Sequence, residues 1–93
     1  MAVTIHIPTP LRAYTGGAAA VSVDADTVGA ALNALTTEHP GLAKHLRDKN
    51  GNIRSFVNVY LGDEDIRFLQ KEATPVTDGA ELTIVPSIAG GAR

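Results

Sequence analysis

Val3, Ile5 and Ile7 alternate with Thr4 and His6 at the start of the chain. A period of two in β-branched residues predicts a half-buried strand. Pro8 and Pro10 end it, because proline has no N–H to give to a ladder. Residues 20–23 predict a second strand, reached through a loop that turns at Gly16-Gly17, and an antiparallel hairpin is the simplest way to join the two. The period then changes. Val28, Ala31, Leu32 and Leu35 fall at i, i+3, i+4 and i+7, the stripe of an amphipathic helix. Asp26 and Thr27 are its candidate caps, and His39-Pro40-Gly41 its stop. Residues 42–46 suggest one more helical turn, and residues 47–52 a polar loop turning at Asn50-Gly51.

Alternation returns at residues 56–61, with Val57, Val59 and Leu61 on one face and Phe56, Asn58 and Tyr60 on the other. Gly62-Asp63-Glu64-Asp65 reads as a turn and Ile66-Arg67-Phe68 as a brief edge strand. A last turn at Thr77-Asp78-Gly79 leads into residues 81–86, where Leu82 and Ile84 face inward and Thr83 and Val85 outward. The order is β-β-α-β-β-β. One amphipathic helix has to cover one face of a mixed sheet of four to five strands, which gives a two-layer α+β domain. The first and last strands are the most regular apolar ones. They are expected side by side and parallel at the centre, with the helix lying across them. This order of elements resembles the β-grasp, or ubiquitin-like, fold.

Ninety-three residues suffice for one domain with one modest core. A hydrophobic share of 44% and a charged share of 19% fit a folded domain rather than a disordered one. A formal charge of −2 and four scattered aromatic residues argue against nucleic acid as a partner. No apolar run approaches the length of a membrane span, and the first residues lack the pattern of a signal peptide. The chain has no cysteine, so disulfides, thiol nucleophiles and thiolate-bound metals are excluded. The expected location is the cytoplasm. His6, His39 and His45 have no ligand spacing, and no metal is expected. Asp63-Glu64-Asp65 lacks the length and remaining ligands of a calcium loop, and Gly16-Gly17 the rest of a phosphate loop. No nucleophile, base and orienting group stand in a recognisable pattern, so the chain is not expected to be an enzyme.

The final stretch, residues 87–93, has no pattern that would bury it. It is expected to be a flexible tail on a domain of residues 1–86. Gly90 and Gly91 let a backbone extend into a narrow channel at little steric cost.

Four pieces together are similar to the prokaryotic sulfur-carrier proteins, the MoaD/ThiS family, and within it to the CysO-type carriers. They are Asp26-Thr27-Val28-Gly29; Val57-Asn58-Val59 followed by Asp65-Ile66-Arg67; Asp78-Gly79-Ala80-Glu81-Leu82-Thr83-Ile84-Val85-Pro86; and Ala89-Gly90-Gly91. The resemblance implies that Gly91 is the working residue. An activating enzyme of the MoeB/ThiF type would adenylate its carboxylate with ATP, and a sulfur donor would convert the adenylate to a thiocarboxylate. Ile88, Ala89 and Gly90 would thread into that partner. The sulfur would pass to an acceptor enzyme making cysteine, a cofactor or a thiolated metabolite, and the carrier itself would bind no cofactor. The sequence departs from the pattern by continuing with Ala92 and Arg93. The resemblance therefore also implies a protease, of the JAMM type or another, acting at the bond between Gly91 and Ala92. His6, Phe56, Tyr60 and Val85, with Pro86 beside them, form the candidate partner surface on the outer face of the sheet. Two other readings use the same residues: a ubiquitin-like modifier that forms isopeptide bonds through Gly91, and a binding module in which Gly-Gly is incidental.

Overall fold

The computed structural model describes residues 1–86. Its strands are β1 (Ala2–His6), β2 (Ala20–Asp24), β3 (Val57–Leu61), β4 (Glu64–Asp65) and β5 (Ala80–Pro86), and its helices are α1 (Val28–Glu38) and the single turn α2 (Ala43–Leu46). They form one mixed sheet in the order β2-β1-β5-β3-β4. β1 and β5 are parallel neighbours, with Ile5 opposite Leu82, and the other pairings are antiparallel. This is the β-grasp arrangement that the order of elements implies, with the last strand at the centre.

The alternation of apolar residues puts Val3 and Ile5 of β1, Val57 and Val59 of β3, and Leu82 and Ile84 of β5 on one face, all buried. The stripe Val28, Ala31, Leu32 and Leu35 of α1 is buried in the same core. Thr27 is the cap: its hydroxyl accepts the N–H of Ala30 at 3.1 Å. The helix ends at His39, whose N–H still reaches the Leu35 carbonyl, and a 3-10 turn at Pro40–Leu42 leads into α2. Leu42 and Leu46 are buried, so the short α2 acts as a lid on one end of the core.

Two local expectations change. The loop after β1 contains a 3-10 helix, Thr9–Thr15, that ends on left-handed Gly16 (φ 66°) and buries Leu11. Ile66–Phe68, read as an edge strand, is also a 3-10 turn, and β4 is the preceding pair Glu64–Asp65. The carboxylate of Asp65 is responsible. It accepts the Arg67 N–H at 2.9 Å and the Arg67 guanidinium at 2.7 Å, curling the chain as soon as it leaves the ladder. Ile66 goes into the core and Phe68 is left 83% exposed.

The segment returning from β4 to β5 is fastened to α1 by polar groups. Arg47 donates to both oxygens of Glu72, at 2.7 and 3.0 Å, and also to Asn33 on α1 and to the Gly51 carbonyl. The turn at Lys71–Ala73 approaches α1 so closely that a Cβ on Gly29 would stand 3.1 Å from the Cβ and carbonyl of Glu72. A glycine inside a helix costs about 1 kcal/mol relative to alanine. Here it makes room for that approach.

Candidate functional site

The outer face of the sheet carries the residues opposite in parity to the core. Register brings His6, Thr83 and Tyr60 into one row across β1, β5 and β3, and sets Val85 beside Asn58 in the next. His6 Nε2 lies 2.7 Å from Glu81 Oε1, which ties β1 to β5 on this face. Val85 is 39% exposed, unusual for a large apolar side chain in a central strand. The strand alternation therefore joins His6, Tyr60 and Val85 as expected. Thr83, Asn58 and Glu81 also lie on this face, as does Thr4 opposite Glu81, and the sequence signal for them was their alternation with Leu82, Ile84, Val59 and Ile5.

The other two surface candidates sit differently. Phe56 precedes β3 in a turn in which the Val57 N–H bonds to the Arg54 carbonyl. Its ring is exposed and lies 6.0 Å from the Arg54 guanidinium carbon. It borders the outer face at the sheet's end rather than lying in the ladder. Pro86 pairs with Val57 and shares the parity of Leu82 and Ile84, so it belongs to the helix side of the sheet. Period two carried back past the first rung of β3 misplaces Phe56, whereas for Pro86 the alternation itself gives the helix side. The remaining candidates, Ile88, Ala89, Gly90, Gly91 and Ala92, and with them the expected flexible tail, lie outside the described residues.

Beneath the β3–β4 edge a cavity of about 280 Å³ is lined by Ile53, Val57, Val59 and Ile66, with Arg67 and Lys71 at its rim. It lies where β4, only two residues long, pairs with Tyr60 and Leu61 alone and leaves residues 57–59 of β3 unpaired on that edge. Asp65, almost fully buried as a side chain, stands beside it with its carboxyl held below the ordinary range by the Arg67 side chain and backbone N–H. Glu72 likewise holds the Arg47 guanidinium above its ordinary value. These ion pairs shape the fold; neither pairs a nucleophile with a base. The three histidines go to separate partners: His6 to Glu81, His39 beside Glu38, and His45 against the Tyr14 ring at 4.4 Å. Among the described residues no helix is long and apolar enough to cross a membrane.

Residues 5–91 match the model of the ThiS family. The chain belongs to the ThiS family. The match begins near the end of β1, takes in β2 through β5 and runs to Gly91, leaving Ala92 and Arg93 beyond it. Within the family, the chain is 44% identical to the sulfur carrier protein CysO of Mycobacterium tuberculosis, over 98% of this chain and the whole of that relative. The crystal structure of M. tuberculosis CysO superposes with a TM-score of 0.85 at 42% identity, over 92% of this chain and 99% of that one. The BexX/CysO complex of Amycolatopsis orientalis gives 0.87 at 39% identity, over 96% of this chain and 99% of that one. Small archaeal modifier protein 3 of Haloferax volcanii is 37% identical over 74% of this ThiS-family chain and 75% of its own length.

Proposed function

We propose that this chain is a sulfur carrier whose working group is the carboxylate of Gly91, freed by removal of Ala92 and Arg93. One observation carries the reading: the family match runs from residue 5 through the rest of the domain and stops at Gly91, two residues short of Arg93. The identity to CysO across the full length supports it.

The chemistry explains why a glycine would end the chain. A carboxylate resists nucleophilic attack because its leaving group is poor. In an activating enzyme of the MoeB/ThiF type, a Gly91 carboxylate oxygen would attack the α-phosphorus of ATP and expel pyrophosphate. Sulfide (HS−) delivered by a donor would then add to the acyl carbon and expel AMP, leaving the thiocarboxylate. While the bond to Ala92 persists, Gly91 is an amide and neither step can begin. A protease, JAMM-type or another, is therefore a required partner. The chain is a substrate in each step, needs no catalytic side chain or bound cofactor of its own, and would work in the cytoplasm. A biosynthetic acceptor enzyme takes the sulfur.

The row of His6, Thr83 and Tyr60 with Val85 is the face proposed to rest on a partner while the tail is engaged. A CysO relative is known in complex with BexX, which makes a protein partner for this fold concrete. The similarity to small archaeal modifier protein 3 favours a second reading, in which activated Gly91 forms an isopeptide bond with a lysine.

The test is the intact mass of the chain from its own host, isolated without acid or reductant. The expected species ends at Gly91 with one oxygen replaced by sulfur. A chain that still ends at Arg93 after exposure to host extract, activating enzyme and ATP overturns the carrier reading. Conjugates that survive a denaturing gel, without thiocarboxylate, select the modifier instead.

A further inference from the structure

Charge in this molecule is sorted along the strand direction. Residues 43–54 hold four of the chain's eight Lys and Arg and one of its ten Asp and Glu, a formal +3 that leaves −5 for the rest. Lys44, Arg47, Lys49 and Arg54, with Asp48 among them, line a shallow concavity of about 430 Å³. The acids nearest to it are engaged. Asp48 accepts the N–H groups of Asn50 and Asn52, and Glu72 is bound by Arg47. Lys44 and Lys49 are exposed.

Topology places this concavity. α1 rises from the end of β2, so residues 39–54 lie at the end of the sheet where β3 begins. Val57 at the start of β3 pairs with Pro86, the last residue of β5, and Arg54 is joined to Val57 by the turn hydrogen bond. The basic concavity thus adjoins the place where residues 87–93 continue the chain. The opposite end of the sheet is acidic, although the Met1 ammonium there pairs with Asp24. Asp24 pairs with Ala2, Asp78 accepts the Ala2 N–H, and Asp63 and Glu64 follow Gly62, whose N–H bonds to the Glu81 carbonyl. Asp26 follows β2 at that same end.

We infer that the concavity of Lys44, Arg47, Lys49 and Arg54 is a docking surface for the acidic rim of the protein site that receives the C-terminal residues, and that the sorted charge brings the molecule to it tail-end first. This rests on the carrier reading, since it needs a partner that takes that end. A dipolar charge distribution favours encounters in which the basic end meets an acidic mouth. Steering of this kind raises association rates by about tenfold or more at low ionic strength and fades as salt shortens the screening length. The protein partner is favoured over a phosphate ligand because the cations line an open surface. Arg47 is already committed to Glu72, and Arg54 Nε to the Lys44 carbonyl.

The experiment uses the chain ending at Gly91, the MoeB/ThiF-type activating enzyme of the same host, and ATP–pyrophosphate exchange read against salt. Lys44→Glu/Lys49→Glu is compared with Lys71→Glu, which lies outside the concavity. The double variant is expected to lose about tenfold in kcat/KM at low salt, with kcat unchanged and the difference gone at high salt. Lys71→Glu is expected to lose less than half of kcat/KM. Equal losses in both variants, or none in the double variant, overturn the docking surface while leaving the carrier intact. A parent chain that supports no exchange at all instead overturns the carrier reading. Circular dichroism of the double variant guards against misfolding; an unfolded variant is replaced by Lys44→Gln/Lys49→Gln, expected to shift in the same direction by a smaller factor.

Discussion

The two flanks of the central strand β5 are built on different principles. On one side, β1 and β2 pair over five residues each, and α1 lays Leu32 and Leu35 into the core behind the sheet. On the other, β3 has only a two-residue neighbour, and the covering is done by 3-10 turns at Ile66–Phe68 and Lys71–Ala73. The first flank is held by apolar area. The second is pinned by side chains that satisfy one another: Asp65 with Arg67, and Arg47 with Glu72 and Asn33. Regular elements announce themselves by period, whereas a flank made of turns needs polar contacts to stop it from wandering, and it keeps a cavity between them.

The comparison breaks most severely at the strand both flanks share. Leu82→Ala on fully buried β5 is expected to cost about 3 kcal/mol in chemical denaturation, from lost transfer energy and the cavity left behind. A cost as small as that of a surface site would mean that the core is not organised around β5. Arg47→Met tests the pinned flank alone. It leaves Glu72 half-buried without its cation, and the expected loss is about 1 kcal/mol, moderated by solvent around Glu72. Hydrogen exchange should rise at residues 66–74 and not in β1. Uniform acceleration would show that the flanks are not separable.

Acid sharpens the same contrast. The Asp65 carboxyl titrates lower in the folded chain than in the unfolded one, because Arg67 favours its charged form. Its contribution is therefore present above the ordinary carboxylate range and disappears as pH falls through the unfolded and then the folded pKa. The stability gap between the parent chain and Asp65→Asn should be widest at neutral pH and narrow steadily in acid. A gap independent of pH would assign Asp65 a role without its charge. The smallest effect is expected at Gly29→Ala. An ordinary helix interior would gain about 1 kcal/mol. Here the added Cβ meets the Glu72 Cβ and carbonyl at 3.1 Å, so the melting temperature should not rise. A full gain would mean that the turn at Lys71–Ala73 withdraws freely.

What the sequence alone determined follows from local physics. A period of two marked β1, β3 and β5, and a period near 3.6 marked α1, whose cap the sequence narrowed to Asp26 or Thr27 and the structure assigns to Thr27. The parity of His6, Tyr60 and Val85 was legible for the same reason. The fixed order of the four matching pieces, from Asp26-Thr27-Val28-Gly29 to Ala89-Gly90-Gly91, pointed to the family. Tertiary structure decided the rest. Ile66-Arg67-Phe68 has the composition of a strand, but a buried carboxylate one residue earlier curls it. Phe56 lies just before β3, where alternation has no partner strand to enforce it. Arg47 and Glu72 are 25 residues apart, beyond any local signal. The acids at 24, 26, 63, 64 and 78 are scattered in sequence and gathered at one end only because parallel and antiparallel pairing bring those turns together. Periodicity reports which face a residue takes; only the pairing of distant strands settles which residues share an end.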